Sequence, residues 1–130
     1  MAGKVITSEE LARLSAAPDF VRQGYFSPAV QAGPFVYISG TAAQDRSKDV
    51  RGQTREVFDY MARVLAEVGY GLSDIVKIQA FVTTVEDYGG YNEVRRSYFP
   101  HHPPASTSVV TALLFPGMLV EVEAVAYKAP

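Results

Sequence analysis

The stretch Leu119-Val120-Glu121-Val122-Glu123-Ala124-Val125-Ala126-Tyr127 constrains the fold more than any other part of the chain. It alternates with period two. Val120, Val122, Ala124 and Ala126 share one face, and Leu119, Glu121, Glu123, Val125 and Tyr127 share the other. The first face is small and apolar and suits packing beneath helices. The second sets two carboxylates about 7 Å apart, two residues at ~3.3 Å rise, among large apolar side chains. Solvated faces seldom carry Leu, Val and Tyr around glutamates, and core faces seldom carry glutamates. One reading is a sheet face with exposed carboxylates among scattered apolar residues. The other, which is the expectation, is a subunit interface that carries a pocket. The preceding segment, Thr107 to Phe115, is apolar on both faces, with Val109, Leu113 and Phe115 against Val110, Ala112 and Leu114. Such a pattern predicts a strand covered on both sides.

Upstream, Thr7 and Glu10 have capping-box spacing and open a short helix with Leu11 and Leu14 as its apolar edge, ended by Pro18. Tyr25 to Val30 is extended or turning, because Pro28 pushes Ser27 away from helix. Phe35 to Ser39 has high β-propensity and Gly40 closes it. Gln53 to Val68 is the clearest helix, with Val57, Met61, Leu65 and Val68 on one stripe and Gly69 placed as its cap. Ile75 to Thr83 is a strand with Val76, Ile78, Ala80 and Val82 on one face. A second helix starts near Thr84 and carries Tyr91, Val94 and Tyr98 at helical spacing. Phe99-Pro100 breaks it. The order strand, strand, helix, strand, helix, strand, strand predicts an α+β domain with both main helices on one sheet face. Two helices cannot cover both faces, so the bulky second face predicts an obligate oligomer.

With 130 residues the chain makes one domain. A net charge of −2 and a pI near 5.6 give no electrostatic reason to expect a nucleic-acid or acidic-membrane partner. Cysteine is absent, which excludes thiolate chemistry. No apolar run approaches the ~20 residues that span a bilayer, and residues 1–6 lack the apolar core of a signal peptide. The expectation is a soluble cytoplasmic protein. His101 and His102 are adjacent, point apart in extended chain and lack a third ligand, so no metal is expected.

Phe26-Ser27-Pro28-Ala29-Val30, Ile38-Ser39-Gly40, Gln53, Val68-Gly69, Asp74-Ile75-Val76-Lys77, Tyr91-Asn92-Glu93-Val94, Phe99-Pro100, Pro104-Ala105 and Leu119 to Ala126 follow one another in the order and spacing of the RidA/YjgF/UK114 family. The chain resembles that family over residues 25–128, with residues 1–24 as an N-terminal extension. The resemblance implies a chorismate-mutase-like α+β subunit that forms a homotrimer with small-molecule pockets in the clefts between subunits. It also implies hydrolysis of reactive enamines and imines to 2-oxo acids and ammonia, with no cofactor.

The site residues implied by the resemblance are Glu121 as acid/base and Phe26, Ser39, Gly40, Asn92, Ser106 and Thr107 as substrate-binding groups. There are two departures from the family pattern. Phe26 stands where the family has a tyrosine, beside Tyr25. Ser106 stands where the family has the arginine that grips the substrate carboxylate. A guanidinium forms two parallel charge-assisted bonds to a carboxylate, and a serine hydroxyl cannot. The loss is worth on the order of 1.5–3 kcal/mol, so weak activity on simple 2-imino acids is expected. Arg95, Arg96, His101 and His102 are candidates for a replacement cation, or else solvated loop and helix ends. Burial among apolar neighbours suits Glu121 to acid/base work, and a salt bridge across an interface would explain it equally. Glu123 fits the salt bridge better. Asn92 orients a substrate or faces solvent. The run Ser106-Thr107-Ser108 binds a hydroxylated ligand or satisfies edge backbone groups. The functions in competition are an acid/base hydrolase, deaminase or tautomerase, a metabolite-binding protein without turnover, and RNA cleavage. The absence of a basic stripe argues against the last.

Overall fold

The alternating segment forms β6 (Val120–Tyr127) and lies inside the sheet rather than at its edge. The structure is a computed structural model and describes residues 3–130. The other elements are β1 (Lys4–Ile6), α1 (Glu9–Leu14), α2 (Pro18–Arg22), β2 (Ala29–Ala32), β3 (Phe35–Ala42), α3 (Val50–Ala66), a 3₁₀ turn (Leu72–Asp74), β4 (Ile75–Val82), α4 (Val85–Tyr98) and β5 (Ala105–Val110). The six strands run in the order β1-β2-β3-β6-β4-β5. All neighbours are antiparallel except β4 and β5. This is the expected α+β architecture.

The helix-side face of β6 is sealed: Val120, Val122, Ala124 and Ala126 are buried together with Val57, Phe58, Met61, Val64 and Leu65 of α3. Among the described residues the opposite face has no second layer. There Phe35, Tyr37 and Tyr127 are exposed and form a tilted aromatic group, with Phe35 ring centroids 5.1 Å from Tyr127 and 6.2 Å from Tyr37.

Several local expectations are corrected. Ser8, not Thr7, caps α1, its Oγ accepting from the Leu11 N–H at 3.1 Å. Pro18 opens α2 as its first residue, where a missing N–H costs nothing. Residues 4–6 add an unforeseen edge strand. β3 continues through Gly40 to Ala42, with its register shifted between Ile38 and Thr41. A bulge between Ile75 and Lys77 gives the buried place to Ile75 and leaves Val76 exposed. The strand predicted to reach Phe115 stops at Val110, pairs only with β4 and is largely exposed. Pro116 cannot donate to a ladder and Gly117 takes φ +85°, so residues 111–119 turn across the end of β4 to reach the sheet centre. The turn is held by Gln53, whose buried side-chain amide donates to the carbonyls of Lys48 and Gly117, both at 3.0 Å, and accepts from the Leu119 N–H at 3.0 Å.

The helices meet at Gly90, where a Cβ would lie 2.8 Å from both Val50 Cγ1 and Arg51 Nη1. Overlap with a buried valine costs roughly 1–3 kcal/mol, and alanine's helix propensity returns up to about 1. Gly90→Ala is therefore expected to lower stability by about 1–2 kcal/mol. A Cβ at Gly89 meets nothing within 4 Å, so Gly89→Ala should stabilise by up to about 1 kcal/mol. Denaturant midpoints of the two variants check the pair; equal midpoints would show that the contact at Gly90 relaxes freely.

Candidate functional site

β3 and β6 run side by side with Ala42 opposite Glu121, and the shift in β3 sets Ser39 and Gly40 just before that pair. A Cβ on Gly40 would stand 2.9 Å from Glu121 Oε2 and 3.1 Å from its Cδ. The carboxylate therefore lies against bare backbone that only glycine leaves open. Above it is a cleft of about 430 Å³. Ser39, Gly40, Glu121 and Glu123 supply polar groups, and Phe26, Leu114, Phe115 and Met118 supply apolar wall.

The N-terminal extension completes the cleft through Ser15, Ala16, Ala17 and Phe20. It is tied down by backbone bonds: Gln44 Nε2 donates to the carbonyls of Arg13 and Ser15 at 2.7 and 3.0 Å, and the Tyr60 hydroxyl donates to that of Leu11 at 2.7 Å. Phe115 is held edge-on to Phe20, centroids 5.8 Å apart, with the Arg46 guanidinium 5.1 Å from its ring centre. Ser15, Ala16, Ala17, Phe20 and Tyr60 carry no local sequence signal of a site, and they escaped the sequence reading.

The polar groups are not equivalent. Ser39 is spent on structure, its Oγ donating to the Ser27 carbonyl at 2.6 Å. Burial pushes the Tyr60 hydroxyl up to about 12, so it keeps its proton at neutral pH. Burial, followed by the neighbouring Glu123 carboxylate, raises the Glu121 pKa above the ordinary 4.5. Among the described residues Glu121 has no ion-pair partner in the chain. A half-buried, unpaired carboxylate that holds its proton more tightly than usual can both give and take a proton.

The remaining predicted residues lie elsewhere. Ser106 is registered with Ile78, whose side chain is buried under the helices, whereas Glu121 is registered with Phe81 on the open face. Ser106 thus points to the other side of the sheet. It lines a second cleft, about 420 Å³, between α4 and β5, together with Val82, Val85, Tyr88, Arg95, Ser108, Val109 and Val110. Asn92 borders it indirectly, its Oδ1 accepting from Arg95 Nε at 3.1 Å and Nη2 at 2.8 Å. Thr107, registered with Gln79, faces the open side and lines neither cleft. Arg96, His101 and His102 are exposed and line neither. One chain therefore gathers Phe26, Ser39, Gly40 and Glu121 in one place, and Asn92, Arg95 and Ser106 in another. Among the described residues, no helix is long and apolar enough to cross a membrane, and no three His, Asp or Glu side chains group as metal ligands.

Comparison with known proteins gives consistent matches. A family model described as endoribonuclease L-PSP covers residues 16–128. A RutC family protein of Pyrococcus horikoshii is 33% identical over 111 residues, which is 81% of this chain and 88% of that protein. A Mycobacterium tuberculosis structure from the YjgF/YER057c/UK114 family superposes with a TM-score of 0.79 at 34% identity, over 88% of this chain and 97% of that one. The structure of RidA from an Antarctic Psychrobacter species superposes with a TM-score of 0.79 at 28% identity, over 96% of this chain and 99% of that one.

Proposed function

The chain belongs to the RidA/YjgF family, and on that premise we propose that it is a homotrimer whose inter-subunit pocket acts on a small enamine, imine or related unsaturated metabolite by acid/base-assisted hydrolysis or tautomerisation. The observation that carries this reading is Glu121: half-buried, raised in pKa, unpaired, and set against Gly40 at the floor of a cleft. In the reaction, the Glu121 carboxyl protonates the enamine carbon and gives the iminium ion. The carboxylate left behind takes a proton from the water that adds to the iminium carbon, passes it to the carbinolamine nitrogen, and takes up the hydroxyl proton as the carbinolamine collapses to the carbonyl compound and ammonia. One water enters and one ammonia leaves, and the carboxyl group ends as it began.

The trimer is supported by two features. The face bearing Phe35, Tyr37 and Tyr127 is exposed without a covering layer, as oligomer interfaces are before assembly. The two clefts lie on opposite sides of the sheet, and a neighbouring copy is what would bring one against the other. Sedimentation of the purified chain should show a species three times the 14.2 kDa subunit. A stable, folded monomer at micromolar concentration would sink the trimer.

Turnover is tested by generating 2-aminoacrylate in situ and measuring ammonia and 2-oxo acid against the uncatalysed rate. Saturable binding of the oxo acid without any acceleration would favour the second reading, a metabolite-binding protein, for which Ser106 in place of an arginine is the specific observation. The protein is expected to work in the cytoplasm without a cofactor.

A further inference from the structure

The Glu121 cleft is larger and drier than a three-carbon metabolite needs. Its volume of about 430 Å³ lies in the range that holds ligands of drug size. Four hydroxyls line it, and each is already bonded inside the chain. Those of Ser39, Thr41 and Tyr60 donate to the carbonyls of Ser27, Ser39 and Leu11 at 2.6, 2.9 and 2.7 Å. Ser15 Oγ accepts from the Ala17 N–H at 3.0 Å. The polar side chains left free for a ligand are the carboxyl groups of Glu121 and Glu123, both on β6. The polar end of a ligand is thereby confined to the β6 side.

The rest of the wall is apolar and rich in rings. Phe20 lies edge-on to Tyr25 and Phe115, centroids 5.3 and 5.8 Å apart, yet 43% of it is still exposed. Phe26 lines the same cleft, and Ala16, Ala17 and Gly40 leave it the width for a flat group. The wall is also fixed in place. Arg46 Nη2 donates to the Ala16 carbonyl at 3.2 Å, beside the carbonyls of Arg13 and Ser15 that Gln44 holds. Glu56 Oε1 in turn accepts from the Gln44 and Asp45 N–H groups at 3.1 and 3.3 Å. A wall ordered in advance loses little entropy when a ligand arrives. An apolar side chain from another subunit would strand the Glu121 carboxyl at the floor, whereas a ligand with one polar end and one ring satisfies both parts of the cleft.

We infer that the N-terminal segment, through Ala17 and Phe20, builds a subsite for a flat aromatic ring, so that the ligand of the Glu121 cleft is an aryl-bearing carbonyl, imine or enamine compound whose ring packs against Phe20 and Phe115. This rests on the proposed function only for the reacting group; the ring comes from the wall. Phe20 is then a specificity-determining residue. Burial of a ring and its edge-to-face contact favour ring-bearing ligands over ring-free ones by about ten- to a hundredfold.

The test uses the full chain in its native assembly, with 4-phenyl-2-butanone and 2-butanone as uncharged probes and NMR titration or calorimetry as the readout. Wild type should bind the aryl ketone at least about tenfold more tightly than 2-butanone. Phe20→Ala removes the ring wall and should weaken aryl-ketone binding about five- to thirtyfold. Ala17→Leu fills the subsite from the same segment and should weaken it at least as much, which covers the case that Phe20→Ala fails to assemble. Phe20→Tyr keeps the ring and should keep most of the preference. Wild-type binding of the aryl ketone by both Phe20→Ala and Ala17→Leu would overturn the inference. Equal binding of the two ketones by wild type, or no binding of the aryl ketone up to about 10 mM, would do the same. The ammonia assay with 2-aminoacrylate separates this from the proposed function. Turnover without aryl-ketone binding sinks the ring subsite and keeps the acid/base reading. Aryl-ketone binding that is lost in Phe20→Ala, in a protein without turnover, does the reverse.

Discussion

Glu121→Gln is expected to lower turnover by about 10²- to 10⁴-fold, the usual worth of a positioned acid/base, while leaving ligand binding and assembly intact. Glutamine keeps the shape and the hydrogen-bonding capacity of the side chain but exchanges no proton. The same variant has a predictable effect on stability. The folded-state pKa of Glu121 is raised, first by burial and then by Glu123. Its contribution to stability is therefore fully present below the ordinary value of 4.5 and is lost as pH rises through the raised folded value. Removing the charge should make the variant more stable than wild type at neutral pH, and the advantage should vanish below the ordinary carboxylate range. Thermal melts at several pH values, alongside the ammonia assay, read both effects. If Glu121 instead pairs with a cation from a neighbouring subunit, glutamine strands that cation and the signs reverse: activity survives, and the melting temperature falls at neutral pH. An active, destabilised variant would remove Glu121 from the chemistry.

Gln53→Leu should be the most damaging single change outside the hydrophobic core. One fully buried amide serves the carbonyls of Lys48 and Gly117 and the N–H of Leu119. Leucine preserves the volume and strands all three backbone groups. An unsatisfied buried group costs roughly 1–3 kcal/mol, and some will find water, so a loss of about 2–5 kcal/mol is expected. The turn carrying Leu114, Phe115 and Met118 should loosen with it, so activity should fall further than stability alone explains. Chemical denaturation and proteolysis of the 111–119 turn measure this. Wild-type stability would show that the contact of Phe20 and Arg46 with Phe115 suffices to hold the turn.

The sheet and its helices were legible because their signals are periodic. Val120, Val122, Ala124 and Ala126 alternate onto the core, and Val57, Met61 and Leu65 repeat along α3, with few competing arrangements. Errors arose where a single residue breaks the period. Val76 lies in a bulge, so simple alternation put it on the wrong side of β4. Thr107 to Phe115 looked like one two-sided strand because Val109, Leu113 and Phe115 alternate with Val110, Ala112 and Leu114, yet Pro116 and Gly117 make the chain turn. The candidate site was legible only in part. Glu121 stood out as a carboxylate among apolar neighbours, and Gly40 came from the family pattern, but its steric reason is visible only where β3 passes β6. Ser15, Phe20 and Tyr60 reach the cleft through tertiary contacts that no local pattern encodes. The division of Glu121 and Ser106 between two faces follows from register, which alternation within single strands does not fix.

The position of β6 sets the order in which the domain can be made. Its hydrogen-bonding neighbours, β3 and β4, are both complete before its first residue is synthesised. Until then the chain consists of a three-stranded piece, β1-β2-β3, and a parallel pair, β4-β5, each with an unpaired edge facing the gap. The last strand must enter between them and close contacts separated by up to most of the chain length, which is slow compared with local pairing. During translation the β3 edge stays open while residues 43–127 are made and the β4 edge while residues 83–127 are made, and over those intervals nascent chains on neighbouring ribosomes could pair with each other there.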